Sequence, residues 1–449
     1  MNLHKKLLER DVRNEPISVC VIGAGKFATM FLSQAKRTPG IAVRIVADIN
    51  AEKGRDALLG AGWDRSVIET DTLSGKRKSG QTLVTENVEG AIEYAGIDVV
   101  IEATGNPCAG ARHALHAIES GKHVIMVNVE ADALVGPILN QRAKNAGVVY
   151  SLAWGDQPAL ICEMVDWARA SGFRVIAAGK GTKYLPSYHS STPDTVWQHY
   201  GLSSEAASAG GMNPKMFNSF LDGTKSGIEM AAVSNATGLR SAKGGLSFPP
   251  CHVDDLPEVL GGASYPTEES NQGVVEVVSS LRRDGSPIER DLRWGVYAVF
   301  EAGDAYVERC FSEYGLKTDS SGRYTAMYKP YHLIGLELGI SVASVCLRGE
   351  ATGAPASWNS DVVAVAKKDL RAGDLLDGEG GFTVWGKLSP AAESLRADAL
   401  PLGLAEGCTL KEDIKKGQVI GRASVQGNLD PVVSDLRREM EKSFETSSL

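Results

Sequence analysis

The sequence predicts an α/β protein: an N-terminal doubly wound parallel sheet, a second domain of mixed α/β character and a small β-clip at the C-terminal end. Three observations carry this. Between Ile17 and about Tyr150, short β-branched and apolar runs alternate with helical stretches. The segment Gly23-Ala24-Gly25-Lys26-Phe27-Ala28 closes the first run and opens the first helix. Beyond residue 357, one short pattern occurs twice.

In order along the chain, ISVCVIG, VRIVADI, DVVIEATG, KHVIMVNV and GVVYSLA are continuous apolar runs bounded by Gly, Asn or Asp, as in strands buried on both faces. FATMFLSQAKR, ARHALHAIESG and GPILNQRAKNAG read as helices between them, and strand–helix–strand alternation requires a parallel sheet. From Gly155 the pattern loosens. PALICEMVDWARASG reads as a helix and FRVIAAGKGTKY as a strand, followed by a polar stretch rich in Gly and Lys. GVVEVVSSL and DLRWGVYAVFEAGDAYVERCF, joined by the turn-rich DGSPIE, read as antiparallel amphipathic strands. YKPYHLIGLELGISVASVCLRG opens polar and continues as an apolar helix beginning near Leu333. TGAPAS, residues 352–357, reads as a linker. AKKDLRAGDLL and LKEDIKKGQVI then share Lys, Asp, an apolar residue, a basic residue, Gly and an apolar pair. The expected domains are 1–155 (Rossmann, nucleotide-binding), 156–351 (mixed α/β, catalytic and dimerising) and 358–449 (β-clip).

The 449 residues suit about three domains at roughly 150 residues each. With 43% hydrophobic and 23% charged residues, the chain has material for a large core and is not disordered. No apolar stretch approaches the length of a membrane span, and MNLHKKLLERDVRNEP lacks the apolar segment of a signal peptide. A net charge of −8 argues against a general binder of nucleic acid or anionic membranes. Seven scattered cysteines without a CxxC indicate neither a disulfide framework nor a zinc site, and a reducing cytoplasm is the expected setting.

The glycine segment carries the first functional reading. Gly23 allows the tight turn, Gly25 lets a pyrophosphate approach the backbone, and Ala28 lets helix and strand pack closely, with Lys26 and Phe27 beginning the helix. The phosphates would rest on the helix N-terminus. Asp48 ends the second strand, where a ribose-binding acid belongs. Asn50, Lys53 and Arg55 follow at once and suit a 2′-phosphate, so these residues leave NAD and NADP equally open. Thr104 and Gly105, after the third predicted strand, and Asn128, after the fourth, would line the nicotinamide edge; the same residues also read as plain turns.

The first 155 residues resemble the N-terminal half of homoserine dehydrogenases. Gly121-Lys122-His123-Val124-Ile125-Met126-Val127-Asn128 is similar to the family's strand ending in Asn-Lys, although Val129 stands where the lysine belongs, with Glu130 and Asp132 beyond it. Gly155-Asp156-Gln157-Pro158 resembles the family's glycine–proline turn. Ala178-Gly179-Lys180-Gly181-Thr182-Lys183-Tyr184 sits where the family has a neutral Asn-Gly-Thr segment, and two lysines stand in it. Asp222 to Glu229 is similar to the family's acid- and lysine-bearing catalytic helix with altered spacing. The repeated C-terminal turns resemble the SAF domain seen at the end of sialic acid synthases. As a whole, the chain resembles the DXR-like enzymes of some bacteria, which convert 1-deoxy-D-xylulose 5-phosphate to 2-C-methyl-D-erythritol 4-phosphate in the MEP route to isoprenoids. That resemblance implies NADPH, a divalent cation (Mg or Mn) and a sugar phosphate substrate. The strands near 273–281 and 291–311 are long for a monomer's exposed sheet, and the resemblance to homoserine dehydrogenases, which pair through such sheets, implies a homodimer with these strands at or near its interface.

Such a reaction needs phosphate anchors, oxyanion stabilisation and proton transfer, and residues 179–252 are rich in suitable groups. Lys180, Lys183, Asp222, Lys225 and Glu229 are the candidate catalytic residues. Lys215, Arg240, Lys329 and His332 are candidate phosphate contacts, and Asp222 and Glu229 candidate metal ligands. Bland readings stand beside these. Any one lysine reads more often as a solvated surface charge, and Asp222, Lys225 and Glu229 fall on one face if helical, as in an ion-pair row. His189 and His252 read equally as turn residues. The alternative function is a homoserine-dehydrogenase-like oxidoreductase acting on another small polyhydroxylated or phosphorylated carbonyl compound. A cofactor-binding scaffold would not need so many convergent charges.

Overall fold

Continuous β-branched runs satisfy their backbones by pairing with one another. In the computed structural model, which describes residues 2–69, 80–261, 272–427 and 430–445, they pair within two compact units, Met1–Leu160 with His332–Ala356, and Ile161–Tyr331 with Ser357–Leu449.

The first unit is built on a seven-stranded parallel sheet of β1 (Ile17–Ile22), β2 (Ile41–Ala47), β3 (Ile68–Glu69), β4 (Thr82–Thr85), β5 (Val99–Glu102), β6 (His123–Met126) and β7 (Tyr150–Leu152). Its order is β3-β4-β2-β1-β5-β6-β7. The five predicted runs are β1, β2, β5, β6 and β7; the two-residue β3 and the four-residue β4 lie outside them. Strand order reverses between β1 and β5, and in such sheets the crevice beyond the strand ends at that point takes the ligand. The predicted helices are present as Lys26–Ala35, Pro107–Glu119 and Val129–Asn145. The second starts earlier than its apolar run because Asn106 caps it and Pro107 occupies its first turn.

Residues 332–356 return to this unit. Their helix begins at Gly339, not near Leu333, and ends at Arg348. Gly335 stands between Leu333 and Gly339 at φ +78°, a left-handed backbone outside the helix, and a side chain there would meet the Phe27 carbonyl oxygen at 2.6 Å. Leu338, Val342, Ala343 and Val345 join the core formed by β1 and β2, each large side chain contributing about 1.5–3 kcal/mol. The TGAPAS segment is tied down rather than free. Leu152 N–H donates to the Gly353 carbonyl (2.7 Å) and the Asn140 amide donates to the Pro355 carbonyl (2.6 Å).

The second unit centres on β8 (Arg174–Thr182), β9 (Val274–Ser279), β10 (Val296–Glu301) and β11 (Tyr324–Lys329), in the order β11-β10-β8-β9. Here two expectations are corrected. β9 and β10 are not paired with each other: β8 lies between them, parallel to β9 and antiparallel to β10. Neither is amphipathic, since every residue of both is buried. The AYVERCF end of the second predicted strand is a helix, Ala305–Glu313, because the Asp304 carboxylate accepts from Tyr306 N–H (2.9 Å) and Val307 N–H (3.0 Å) and starts it.

The C-terminal residues of this unit form β12 (Ser360–Ala366) paired with β13 (Val384–Pro390), and β14 (Thr409–Leu410) paired with β15 (Val425–Gln426). The sequence repeat becomes a reciprocal clasp. Leu370 N–H donates to Ile414 O (2.8 Å) and Ile414 N–H to Leu370 O (2.9 Å); Gly373 N–H donates to Leu410 O (2.8 Å) and Gly417 N–H to Ala366 O (2.9 Å). Asp369 accepts from Lys416 N–H and Asp413 from Ala372 N–H, both at 2.9 Å. The helix Pro431–Glu445 locks on through buried Arg437, whose guanidinium forks onto Asp361. Among the described residues, no helix is long and apolar enough to cross a membrane.

Candidate active site

At the β1 end of the first unit, the two glycines of the loop differ in what they need. Gly23 has φ +92°, and a Cβ there would lie 2.7 Å from the Ala103 carbonyl oxygen, so backbone and packing both demand glycine. Gly25, which precedes the helix Lys26–Ala35, has φ −75° and would present a side chain to open space. Nothing among the described residues requires glycine at 25, but a pyrophosphate resting on that helix N-terminus does. Ala28 is buried, Phe27 packs partly into the core, and Lys26 is exposed. Asp48 joins two loops: one carboxylate oxygen accepts from Ala24 N–H (2.8 Å) and the other from Asn50 N–H (2.9 Å). The loop fits a nicotinamide dinucleotide.

Beyond β5 and β6 the structure gathers Thr104, Gly105 and Asn128 as expected. The Thr104 hydroxyl donates to buried Glu102 (2.5 Å), which also lies 3.3 Å from His113 Nδ1. The Asn128 amide donates to the Asn106 carbonyl (2.9 Å), while its oxygen caps the next helix through Ala131 N–H (3.0 Å). Asn128 therefore shapes this edge. Beneath it, fully buried Asp132 accepts from the Tyr150 hydroxyl (2.9 Å), and burial pushes its carboxyl up to about 7. His332 also lies in this unit.

In the second unit, Lys180 near the end of β8 and Glu229 on the helix Thr224–Thr237 are both buried and form an ion pair. Asp222 does not share that helix. Gly223, at φ +91°, breaks the chain between them, so the expected surface row of Asp222, Lys225 and Glu229 does not form. Asp222 is fully buried. Its carboxylate lies 2.7 Å from the ammonium of Lys367, a residue of the C-terminal repeat, and accepts from Thr224 N–H (2.9 Å). Lys367 also donates to the carbonyls of Ser191 (2.8 Å) and Gly381 (2.7 Å). Burial raises the Asp222 carboxyl against the opposing pull of Lys367 and Thr224.

His189 Nδ1 faces the Asp222 carbonyl oxygen at 2.7 Å, which can only accept, so Nδ1 carries the proton. Nε2 then accepts from the Tyr184 hydroxyl at 2.9 Å. Burial holds His189 below its ordinary value, and its ring stacks on Trp385 at 3.9 Å. Lys183 is half-buried and donates to the His199 carbonyl. Lys225 is half-buried at the helix start. The phosphate candidates do not converge. Lys215 donates to the Asp377 carbonyl (2.7 Å), exposed Arg240 bonds Gln272 (2.6 Å), and Lys329 lies 5.6 Å from the Tyr331 ring at the end of β11. His252 is a turn residue whose Nδ1 accepts from Asp254 N–H (3.0 Å).

The metal expectation is corrected here. Asp222 and Glu229 each already face a lysine ammonium, which takes the charge a cation would need, and they lie in separate ion pairs. Among the described residues no group of three or more His, Cys, Asp or Glu could hold a metal ion. These residues do not fit a divalent ion.

A parallel sheet with a glycine loop at its switch point, joined to a unit carrying buried Lys–carboxylate pairs, defines an NAD(P)-dependent oxidoreductase. Two family models agree. Residues 23–152 match the family described as homoserine dehydrogenase, NAD binding domain, and residues 155–338 match oxidoreductase DRL, catalytic domain. The chain thus carries an NAD-binding oxidoreductase core, followed by a segment similar to the DRL catalytic domain. No curated protein matches. Among solved structures, a probable dehydrogenase from Thermotoga maritima is 10% identical over 74% of this chain and 90% of its own, with a TM-score of 0.39. A putative oxidoreductase from Klebsiella pneumoniae is 14% identical over 76% and 88%, with a TM-score of 0.37. Biliverdin reductase from Synechocystis is 17% identical over 38% and 48%, with a TM-score of 0.26. The match spans less than half of the first two structures found, 44% of an NAD binding oxidoreductase from Klebsiella pneumoniae and 48% of the biliverdin reductase.

Proposed function

We propose that this oxidoreductase reduces, reversibly, the carbonyl of a small polyhydroxylated or phosphorylated compound, with Lys180 and Glu229 handling the proton. The observation that carries the reading is the buried Lys180–Glu229 pair at the end of β8. An ammonium held by a carboxylate in a dry setting is an oxyanion stabiliser and proton donor for a carbonyl oxygen taking up charge. Glu229 keeps Lys180 in place and stays ionised, while Lys180 gives its proton to the new hydroxyl and regains one from solvent. The nicotinamide, bound over Gly23, Gly25 and Ala28, supplies the hydride. NADPH is the preferred donor in this reading, because Asn50, Lys53 and Arg55 follow Asp48, whose own oxygens are engaged by the loop.

Within this class, the specific reaction to try first is conversion of 1-deoxy-D-xylulose 5-phosphate to 2-C-methyl-D-erythritol 4-phosphate. Its support is the resemblance to DXR-like enzymes together with the repeated, SAF-like C-terminal turns. A cytoplasmic homodimer belongs to the same proposal. The test follows NADPH oxidation with that substrate and with a panel of hydroxyketones and hydroxyaldehydes, identifying products by NMR. Lys180→Ala should lower kcat about 10²- to 10³-fold. Reduction of panel members without any branched product refutes the reductoisomerase and keeps the oxidoreductase. A fully active Lys180→Ala enzyme refutes the assignment of the site.

A further inference from the structure

The buried cations of the second unit each face a carboxylate: Lys180 meets Glu229, Lys367 meets Asp222, and Arg437 meets Asp361. The half-buried Lys183 and Arg293 do not. Lys183 follows β8 and Arg293 precedes β10, and because β8 and β10 are antiparallel neighbours, both lie at the same end of the sheet. Among the described residues neither forms an ion pair, and the Arg293 guanidinium has no hydrogen-bond acceptor. Lys183 donates only to the His199 carbonyl. Both flank one ring: Lys183 Nζ lies 5.6 Å and Arg293 Cζ 5.7 Å from the centroid of Tyr200. Arg293 also lies 4.7 Å from the centroid of Trp294.

Two like charges drawn partly out of water beside each other oppose folding unless something of opposite sign joins them. Burial first, and Arg293 second, hold the Lys183 ammonium below its ordinary value, as expected for cations without a counter-charge. The Tyr200 phenol is pushed up to about 12 by burial and keeps its proton as a donor at neutral pH. Aromatic walls fix the cations at little entropic cost, and the guanidinium offers its planar fork to paired oxygens.

We propose that Lys183, Arg293 and the Tyr200 hydroxyl form an anion clamp that holds a phosphate or carboxylate substituent of the substrate. This rests on the reading that the second unit binds the substrate, and it selects an anionic substrate over a neutral polyol. Lys215 and Arg240, two of the phosphate candidates, are committed to the Asp377 carbonyl and Gln272 and take no part.

The test measures binding of inorganic phosphate and of malonate to the full-length protein by isothermal titration, without turnover. Arg293→Gln and Lys183→Met should each weaken the bound anion about 10- to 100-fold, the loss of one charge-assisted contact, while Arg293→Lys retains part of the affinity. Arg240→Gln should leave it unchanged. Phosphate binding that the variants abolish assigns a phosphorylated substrate; malonate binding alone assigns a carboxylate. If neither anion binds the wild-type protein, or if binding survives both Arg293→Gln and Lys183→Met, the clamp is refuted. Because the assay needs no catalysis, an inactive enzyme that still binds anions through these residues refutes the reaction and leaves the clamp standing.

Discussion

Replacing Lys367 by Met removes the ammonium 2.7 Å from the Asp222 carboxylate, which has no exposure to water. The Ser191 and Gly381 carbonyls keep the Asn218 amide, at 3.1 and 3.5 Å, so the cost concentrates on Asp222. Breaking a buried pair from one side costs about 3–5 kcal/mol. For a unit of this size that is a fall in Tm of about 10 °C. The pH dependence gives the reasoning a second handle. Asp222 already titrates above the usual carboxylate range, and without Lys367 it rises further. A carboxyl raised in the folded state stabilises the fold in acid and loses that contribution as pH climbs. The deficit of Lys367→Met should therefore be small in acid and widen toward neutrality. Asp222→Asn added to Lys367→Met should recover most of it. Thermal melts of wild type, single and double variants across pH decide the matter. A single-variant cost below about 1 kcal/mol, or a deficit that ignores pH, would show that the pair is not the buried, coupled charge described.

The glycine loop should separate two effects: Gly25→Val melts like wild type and binds no dinucleotide, whereas Gly23→Val loses at least about 1–3 kcal/mol of stability from its left-handed backbone and contact with Ala103. Fluorescence titration with NADPH and thermal melts read both, and cofactor binding by Gly25→Val would overturn the loop assignment. Asp132, with a carboxyl at about 7, should cost the first unit stability as pH rises from about 4 through 7. Asp132→Asn should flatten that slope; a parallel slope in the variant shows that another group titrates.

What was legible in the sequence follows the range of the forces involved. β1, β2, β5, β6 and β7 announce themselves because a strand buried on both faces must be apolar throughout. The glycine loop is local chemistry, read from six consecutive residues. Tertiary pairing was not readable. GVVEVVSSL and its successor looked like a hairpin because they follow each other, yet β8 had already taken the place between them. Lys367 sits in a repeat whose matching lysine, Lys411, is exposed; no local signal tells which copy is buried. Asp222 and Glu229 have helical spacing, and only the left-handed Gly223 divides them. Arg293 had no motif around it at all.

The return of residues 332–356 to the first unit bears on how the protein is made. The sheet of that unit is complete in the nascent chain by Leu152, but the helix Gly339–Arg348, which closes its core over β1 and β2, is synthesised only after most of another unit has emerged. At roughly 5–20 residues per second, a gap of about 180 residues leaves that apolar surface open for on the order of 10–40 s. Neither unit can be finished in order of synthesis, since the second also waits for Lys367 to neutralise Asp222. Ribosome-bound chains stopped just before Gly339 should expose the uncovered face of β1 and β2 to chaperones, a vulnerability that ends only when the chain has crossed back.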